Sequence, residues 1–227
     1  MSTRSPGSKD QILRTFAQMV AEHGYDNVSL SMVAGELGIS KGTIVHHYGT
    51  KDRMLEAIHH DYMKHRMAEA KEIVTDFTDP REQLTALIAQ LMITQRDDRA
   101  ATVAFAREIA RFSALDLMRD VRHMRGEYAA LLRDVIERGM ETGQFREANS
   151  ELLTLQVFGM CNWSWTWMRP KMRWKVNEIV SAWVTTLLVG LDAGPNEIGL
   201  DVDGIVAAVE QIVAESPPLA APRAAVA

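Results

Sequence analysis

Cysteine is nearly missing from this chain: its 227 residues carry one, Cys161, so no internal disulfide can form and a reducing compartment is expected. The opening stretch MSTRSPGSKDQ lacks an apolar run that would serve as a signal peptide or enter a bilayer, which points to a cytoplasmic chain with no membrane partner. Period-two alternation is also lacking. No segment alternates apolar and polar residues for long enough to make a strand, and this excludes the sheet-based folds. Positive charge is not in excess: 25 Lys and Arg stand against 30 Asp and Glu, a formal charge of -5, which excludes a protein that coats nucleic acid without specificity. A small basic surface on an acidic body remains compatible with that balance. Finally, no nucleophile-base pair, metal set or phosphate loop is legible, so neither an enzyme of a helical fold nor a cofactor is expected.

What is present is helical periodicity. Ile12, Phe16 and Val20 repeat at helical spacing, as do Met54, Ile58 and Tyr62, with Ile73 and Phe77 extending that stripe. From about residue 115 to 141, Met118, Val121, Met124, Tyr128, Leu131 and Val135 hold one face before Gly143 supplies a stop. Breaks fall at 24–27, Gly38, Gly49, Asp79-Pro80, Gly143, Arg169-Pro170 and Gly194-Pro195, each marked by a glycine or proline that helix interiors disfavour. The reading is an all-α chain of nine or ten helices. Ile205, Val209 and Ile212 suggest a last short helix, and residues 216–227 bury too little to fold. Four histidine-rich positions, His59, His60, Asp61 and His65, do not suggest metal, since adjacent histidines on a helix point apart and no two histidines among them stand four apart.

One stretch is denser in signals than the rest. In NVSLSMVAGELGISKGTIVHHYGTKDRML, Ser29 can cap a short helix bearing Leu30, Val33, Ala34 and Leu37, Gly38 can end it in the left-handed conformation, and Ser40 can cap the next. Helix, tight turn, helix is the arrangement that sets a second helix into a DNA major groove with its N-terminal residues leading. Those residues are Lys41, Gly42 and Thr43. Gly42 costs about 1 kcal/mol of helix stability relative to alanine, which suits a backbone that something must approach closely. Thr50 can cap a third helix whose first N–H groups, with Lys51, suit a phosphate. The first 60 residues balance six basic side chains against six acidic ones, so any attraction to DNA rests on a few placed groups.

From about Ile12 to Leu55 this order of residues resembles the DNA-binding domain of the tetracycline-repressor-like (TetR) family of bacterial regulators. The resemblance implies an N-terminal three-helix helix-turn-helix domain, residues 1–55, followed by a helical ligand-binding and dimerisation domain, residues 56–215. It implies a homodimer on a palindromic operator of double-stranded DNA. Candidate DNA contacts are then Ser31, Ser40, Lys41, Gly42, Thr43, His46, His47, Tyr48 and Lys51, with Lys41, Thr43 and His46 toward base edges and Lys51 toward phosphate. For His46 and His47 a solvated helix end and a core histidine remain the plain alternatives.

All five tryptophans fall between Gly159 and Trp183, and no acidic residue stands between Glu151 and Glu178. Arg169, Lys171, Arg173 and Lys175 crowd the break between two helices. A dimer seam with a solvated basic turn would account for this. The run Asn162, Trp163, Trp167, Arg169, Pro170 also resembles a subset of TetR regulators that answer to fatty-acyl-CoA or related thioesters. A TetR-like regulatory domain implies a cavity, to which Met92, Phe105, Met124, Tyr128, Phe158, Trp163 and Trp167 are assigned, with Arg169 and Lys171 at its mouth for the phosphates of coenzyme A. The competing effector is a drug or other lipophile whose binding releases an efflux system.

Overall fold

The computed structural model describes residues 8–112, 114–169 and 171–191; the last helix expected near Ile205 and the tail after Ser216 lie outside them. Among the described residues the regular structure is entirely helical. The helices are α1 (Lys9–His23), α2 (Leu30–Leu37), α3 (Lys41–Tyr48), α4 (Lys51–Asp76), α5 (Pro80–Asp97), α6 (Arg99–Phe112), α7 (Arg119–Glu141), α8 (Ser150–Trp163) and α9 (Val176–Leu191). Single turns of 3₁₀ helix precede α7 and follow α8.

Local chemistry sets most of these boundaries. Ser29, Ser40 and Thr50 each accept a hydrogen bond from the backbone N–H three residues on, at Met32, Thr43 and Arg53, a contact worth about 1 kcal/mol per helix. Gly38 ends α2 in the left-handed region at φ 64°. Asp79 caps α5 with two bonds, to the N–H groups of Arg81 and Glu82, and Pro80 occupies the first turn, where its missing donor costs nothing. The break between α5 and α6 was not expected from sequence. It falls at Asp98, with neither glycine nor proline.

Helices α1 to α3 close over Ile12, Phe16, Val20, Val33, Ile44 and Tyr48, with Met54, Leu55 and Ile58 from the first turns of α4 completing that core. Farther along, α5 packs against α4, α6, α7, α8 and α9. Leu84, Leu87, Ile88 and Met92 of α5 are fully buried there, alongside Leu132 and Ile136 of α7. Helix α6 reaches back to pack along α1. Arg107 donates to the Ala21 carbonyl at 3.1 Å, and the Tyr25 N–H donates to Glu108 at 3.1 Å.

Candidate nucleic-acid interface and effector cleft

Helix α3 buries only Ile44 and Tyr48, one stripe four residues apart, and leaves the rest of its surface outside. Ser40, Lys41, Gly42, His46 and His47 are exposed, as is Ser31 on α2; Thr43 is half-buried. The Ser40 hydroxyl accepts from the Thr43 N–H at 3.1 Å and shares a 3.0 Å hydrogen bond with the Thr43 hydroxyl, so the two fix the first turn of α3. His46 and His47 stand edge to face, ring centroids 5.5 Å apart, both in solvent. A Cβ placed on Gly42 would meet only Ser40 Oγ at 3.5 Å, an ordinary contact. Nothing inside the protein therefore demands glycine at this place.

Two of the residues expected at DNA face inward. Tyr48 is buried and its hydroxyl donates to the Lys9 carbonyl at 2.7 Å, which makes it the bolt between α3 and α1. Lys51 is half-buried, and Nζ donates to the carbonyls of Tyr25 and Val28, each at 2.9 Å, 4.0 Å from the Tyr25 ring centroid, which leaves one of its three N–H groups for another acceptor. The Tyr25 hydroxyl in turn donates to Asp52. Lys51 pins the α1–α2 loop to the start of α4, its ammonium adding a charged donor to the Tyr25 carbonyl, which also accepts from the Val28 N–H at 3.2 Å, and to the Val28 carbonyl.

The residues assigned to a cavity divide into three groups. Met92 and Tyr128 are buried in the core, and Phe105, Met124 and Phe158 are half-buried against it. Phe105 stacks on Tyr62 at 4.5 Å and meets His59 edge-on at 5.1 Å. Tyr128 leans on Phe158, and its hydroxyl donates to Gln90 at 2.8 Å; burial raises its pKa. Gln90 itself donates to Glu69 and to the Arg66 carbonyl, each at 2.8 Å, closing a network in which Arg66 holds Glu69 at 2.7 Å. Trp163, by contrast, is 66% exposed and shares an outward stripe of α8 with Leu152 and Leu155. Trp167 is partly exposed and rests edge-on against Trp183 at 6.0 Å.

The third group is cationic, and here the structure redraws the expected set. A cleft of about 840 Å³ lies between α5 and the start of α9, with Ala89, Ile93, Met168, Met172, Val180 and Val184 among its apolar lining. Arg169 and Lys175 of the basic turn belong to it, but Lys171 does not; Arg96 and Arg99 join them from α5 and α6. Arg173 instead covers the ring of Trp174 at 4.3 Å, and that ring lines the cleft. No Asp or Glu contributes to the lining. Arg96 forks onto Asp97 at 2.6 and 2.7 Å, whereas no ion pair engages Arg99, Arg169 or Lys175 among the described residues. Arg99 donates to the Met168 carbonyl at 2.6 Å; burial first, then the like charge of Arg169, pulls its pKa below the ordinary arginine value. Such a cluster of like charge favours an anion.

Sequence reading missed Arg99 because Arg96-Asp97-Asp98-Arg99 looks self-neutralised, and only the break at Asp98 turns Arg99 toward the cleft.

Family profiles match nearly all of this architecture. Residues 12–58 match the profile described as bacterial regulatory proteins, tetR family, and residues 78–191 match that of the tetracyclin repressor-like C-terminal domain. The chain belongs to the TetR family. This TetR-family chain is a DNA-binding transcriptional regulator, and α2 and α3 are its helix-turn-helix. It is 23% identical over 184 residues to the HTH-type transcriptional repressor KstR2 of Mycolicibacterium smegmatis, covering 81% of this chain and 90% of that one. Two solved structures share its fold. The ketosteroid transcriptional regulator KstR2 of Mycobacterium tuberculosis superposes with a TM-score of 0.77 at 20% identity, over 84% of this chain and 98% of that one. AibR, in complex with isovaleryl coenzyme A and operator DNA, gives 0.74 at 20% identity, over 79% and 97%. Among the described residues no helix is long and apolar enough to cross a membrane.

Proposed function

We propose that this chain is a homodimeric repressor of the cytoplasm that holds a palindromic operator through α3 and releases it on binding an acyl-CoA or related thioester. The DNA-binding domain is residues 1–55 and the regulatory domain residues 56–215. The observation that carries the effector reading is the α5–α9 cleft: Arg99 and Arg169, with no ion pair among the described residues, and Lys175, whose backbone N–H holds the Glu178 carboxylate at 2.6 Å, over an apolar floor with the Trp174 ring beside them. Phosphates call for the cations, a flat heteroaromatic base suits the indole face, and an acyl chain suits the floor. AibR, a relative in fold, binds isovaleryl coenzyme A, which supports the same class.

Dimerisation rests on the outward stripe of Leu152, Leu155 and Trp163 on α8, with Val189 on α9, all more than half exposed in the single chain. Gly159 lies in that stripe and lets a partner helix come close. On the DNA side Lys41, His46 and His47, with Ser31, Ser40, half-buried Thr43 and the Gly42 backbone, are the groups left to a ligand outside the chain. No covalent chemistry is involved.

Coupling runs through α6, which starts at Arg99 in the cleft and ends against α1 at Arg107 and Glu108. A thioester that favours one seating of α6 shifts the spacing of the two α3 helices away from the roughly 34–36 Å of successive major grooves, and operator affinity falls.

The test begins with a duplex selected from a random library by the purified protein. An acyl-CoA is expected to release it while the matching free acid does not, and Arg99→Ala with Arg169→Ala is expected to abolish the difference. Equal release by the free acid favours a lipophile-responsive repressor and removes coenzyme A from the reading.

A further inference from the structure

Every apolar side chain of α2 and α3 packs into or against the core except two, Met32 and Val45, which are 42% and 43% exposed. A single apolar residue in solvent is ordinary. Val45 is informative because of where it stands. Helix α3 turns Ile44 and Tyr48 inward, and at about 100° per residue Val45 comes out on the flank shared with Gly42 and Lys41, three and four residues earlier.

Two positions on this flank work against the helix that carries them. Glycine and a β-branched valine are both weaker helix formers than alanine, and α3 has only 8 residues. Neither choice has an internal reason: a Cβ on Gly42 would meet only Ser40 Oγ at 3.5 Å, and Val45 takes no part in the core that Ile44 and Tyr48 fill. Local rules broken without an internal gain mark a surface that something outside the chain uses. Met32 is a different case. It stands on α2, the helix that crosses the DNA backbone in this motif, and its side chain is flexible and unbranched.

We infer that Val45 is a specificity-determining residue that reads the C5 methyl group of a thymine in each operator half-site. This rests on the entry of α3 into the major groove, as proposed above, and adds the base that its apolar side chain selects. The thymine methyl is the one apolar group that base edges present in that groove. Valine has a single strongly preferred χ1 in a helix, so its two methyl groups hold a fixed direction and contact costs little side-chain freedom. The missing side chain at Gly42 lets the base edges come within reach. Over cytosine or a purine the same two methyl groups would cover an amino group or an acceptor and strip it of water without replacing the hydrogen bond. Valine therefore disfavours those bases as well as favouring thymine.

The test takes a duplex selected by the full chain from a random library and replaces its thymines one at a time by deoxyuridine, which lacks only the C5 methyl. Affinity is read by fluorescence anisotropy for the wild type and for Val45→Ala. At one position in each half-site the exchange is expected to weaken wild-type binding about fourfold for each methyl removed. At that position Val45→Ala is expected to bind the thymine and uracil duplexes alike, while its response at every other thymine stays that of the wild type. Alanine is the better helix former and the site is exposed, so Val45→Ala should fold as the wild type does, which circular dichroism checks. A valine that merely completes α3 would leave the methyl effect intact in the variant. A half-site without thymine, no methyl effect in the wild type, or a methyl effect that Val45→Ala retains overturns the inference and leaves the α3 reading standing. If no duplex is enriched, the α3 reading itself falls and the inference falls with it.

Discussion

Gly139 and Gly126 lie on the same helix, α7, and alanine at the two positions is expected to act in opposite directions. A Cβ on Gly139 would stand 2.0, 2.3 and 2.8 Å from Cδ2, Cε2 and Cγ of Phe145. That ring has little room to retreat. Phe145 is 2% exposed, its N–H donates to the Gly139 carbonyl at 2.8 Å, and the next residue, Arg146, donates to the Leu191 carbonyl at 2.9 Å. The clash is with the rigid body of an aromatic ring rather than the tip of a flexible chain, so overpacking costs about 1–3 kcal/mol, more than the gain of up to about 1 kcal/mol from replacing a helical glycine. Gly126 has nothing within 4 Å of the same atom, and only the gain applies. With about 2–4 °C per kcal/mol for a chain of this size, Gly139→Ala is expected to lower Tm by up to roughly 8 °C and Gly126→Ala to raise it by up to roughly 4 °C. Both are read by thermal unfolding at one fixed protein concentration, since a dimer's Tm depends on it. Adding Phe145→Leu to Gly139→Ala should recover part of the loss by removing the ring atoms in collision. If the two single variants unfold at the same temperature, the close approach of α7 to the Phe145 turn is wrong.

Three further outcomes follow from the same structure. Gly42→Ala is expected to leave the free protein as stable or up to about 1 kcal/mol more stable, while weakening operator binding at least tenfold, because its only internal neighbour is Ser40 Oγ at 3.5 Å; undiminished binding by anisotropy would remove the close approach of DNA to this backbone. Lys51→Met is expected to cost about 1–3 kcal/mol of stability in urea by removing its two hydrogen bonds to the α1–α2 loop, and to leave the slope of log affinity against log salt unchanged; a shallower slope would return Lys51 to the phosphates. His59 has a folded pKa of about 4, below its unfolded value near 6.5, so its contribution is complete above pH 6.5 and is lost as pH falls toward 4. Between those limits the wild type should lose up to about 3 kcal/mol more than His59→Phe, and parallel pH profiles of the two proteins would refute the burial of a neutral imidazole.

What sequence could supply was whatever depends on near neighbours in the chain. The caps at Ser29, Ser40 and Thr50, the left-handed Gly38 and the exposed leading turn of α3 all depend on residues within four positions, and they stand where the pattern put them. Lys51 and Tyr48 escaped because their partners are backbone carbonyls of Tyr25, Val28 and Lys9, a group that almost every residue offers and that no residue type marks. Trp163 illustrates the converse: an apolar residue at helical spacing predicts burial, yet on α8 the stripe of Leu152, Leu155 and Trp163 turns away from its own core. The cleft was hidden for a third reason. Arg99 and Arg169 are 70 residues apart, and their charges add only because the Asp98 break turns α6 away from the acidic pair beside it and aims Arg99 at the Met168 carbonyl. That same break makes α6 a separate rod with a ligand-facing start and a DNA-domain-facing end. A sequence that ran α5 and α6 together would have buried the charge, lost the cleft and uncoupled α1 from it, so a boundary marked by neither glycine nor proline carries the most of the proposed switch.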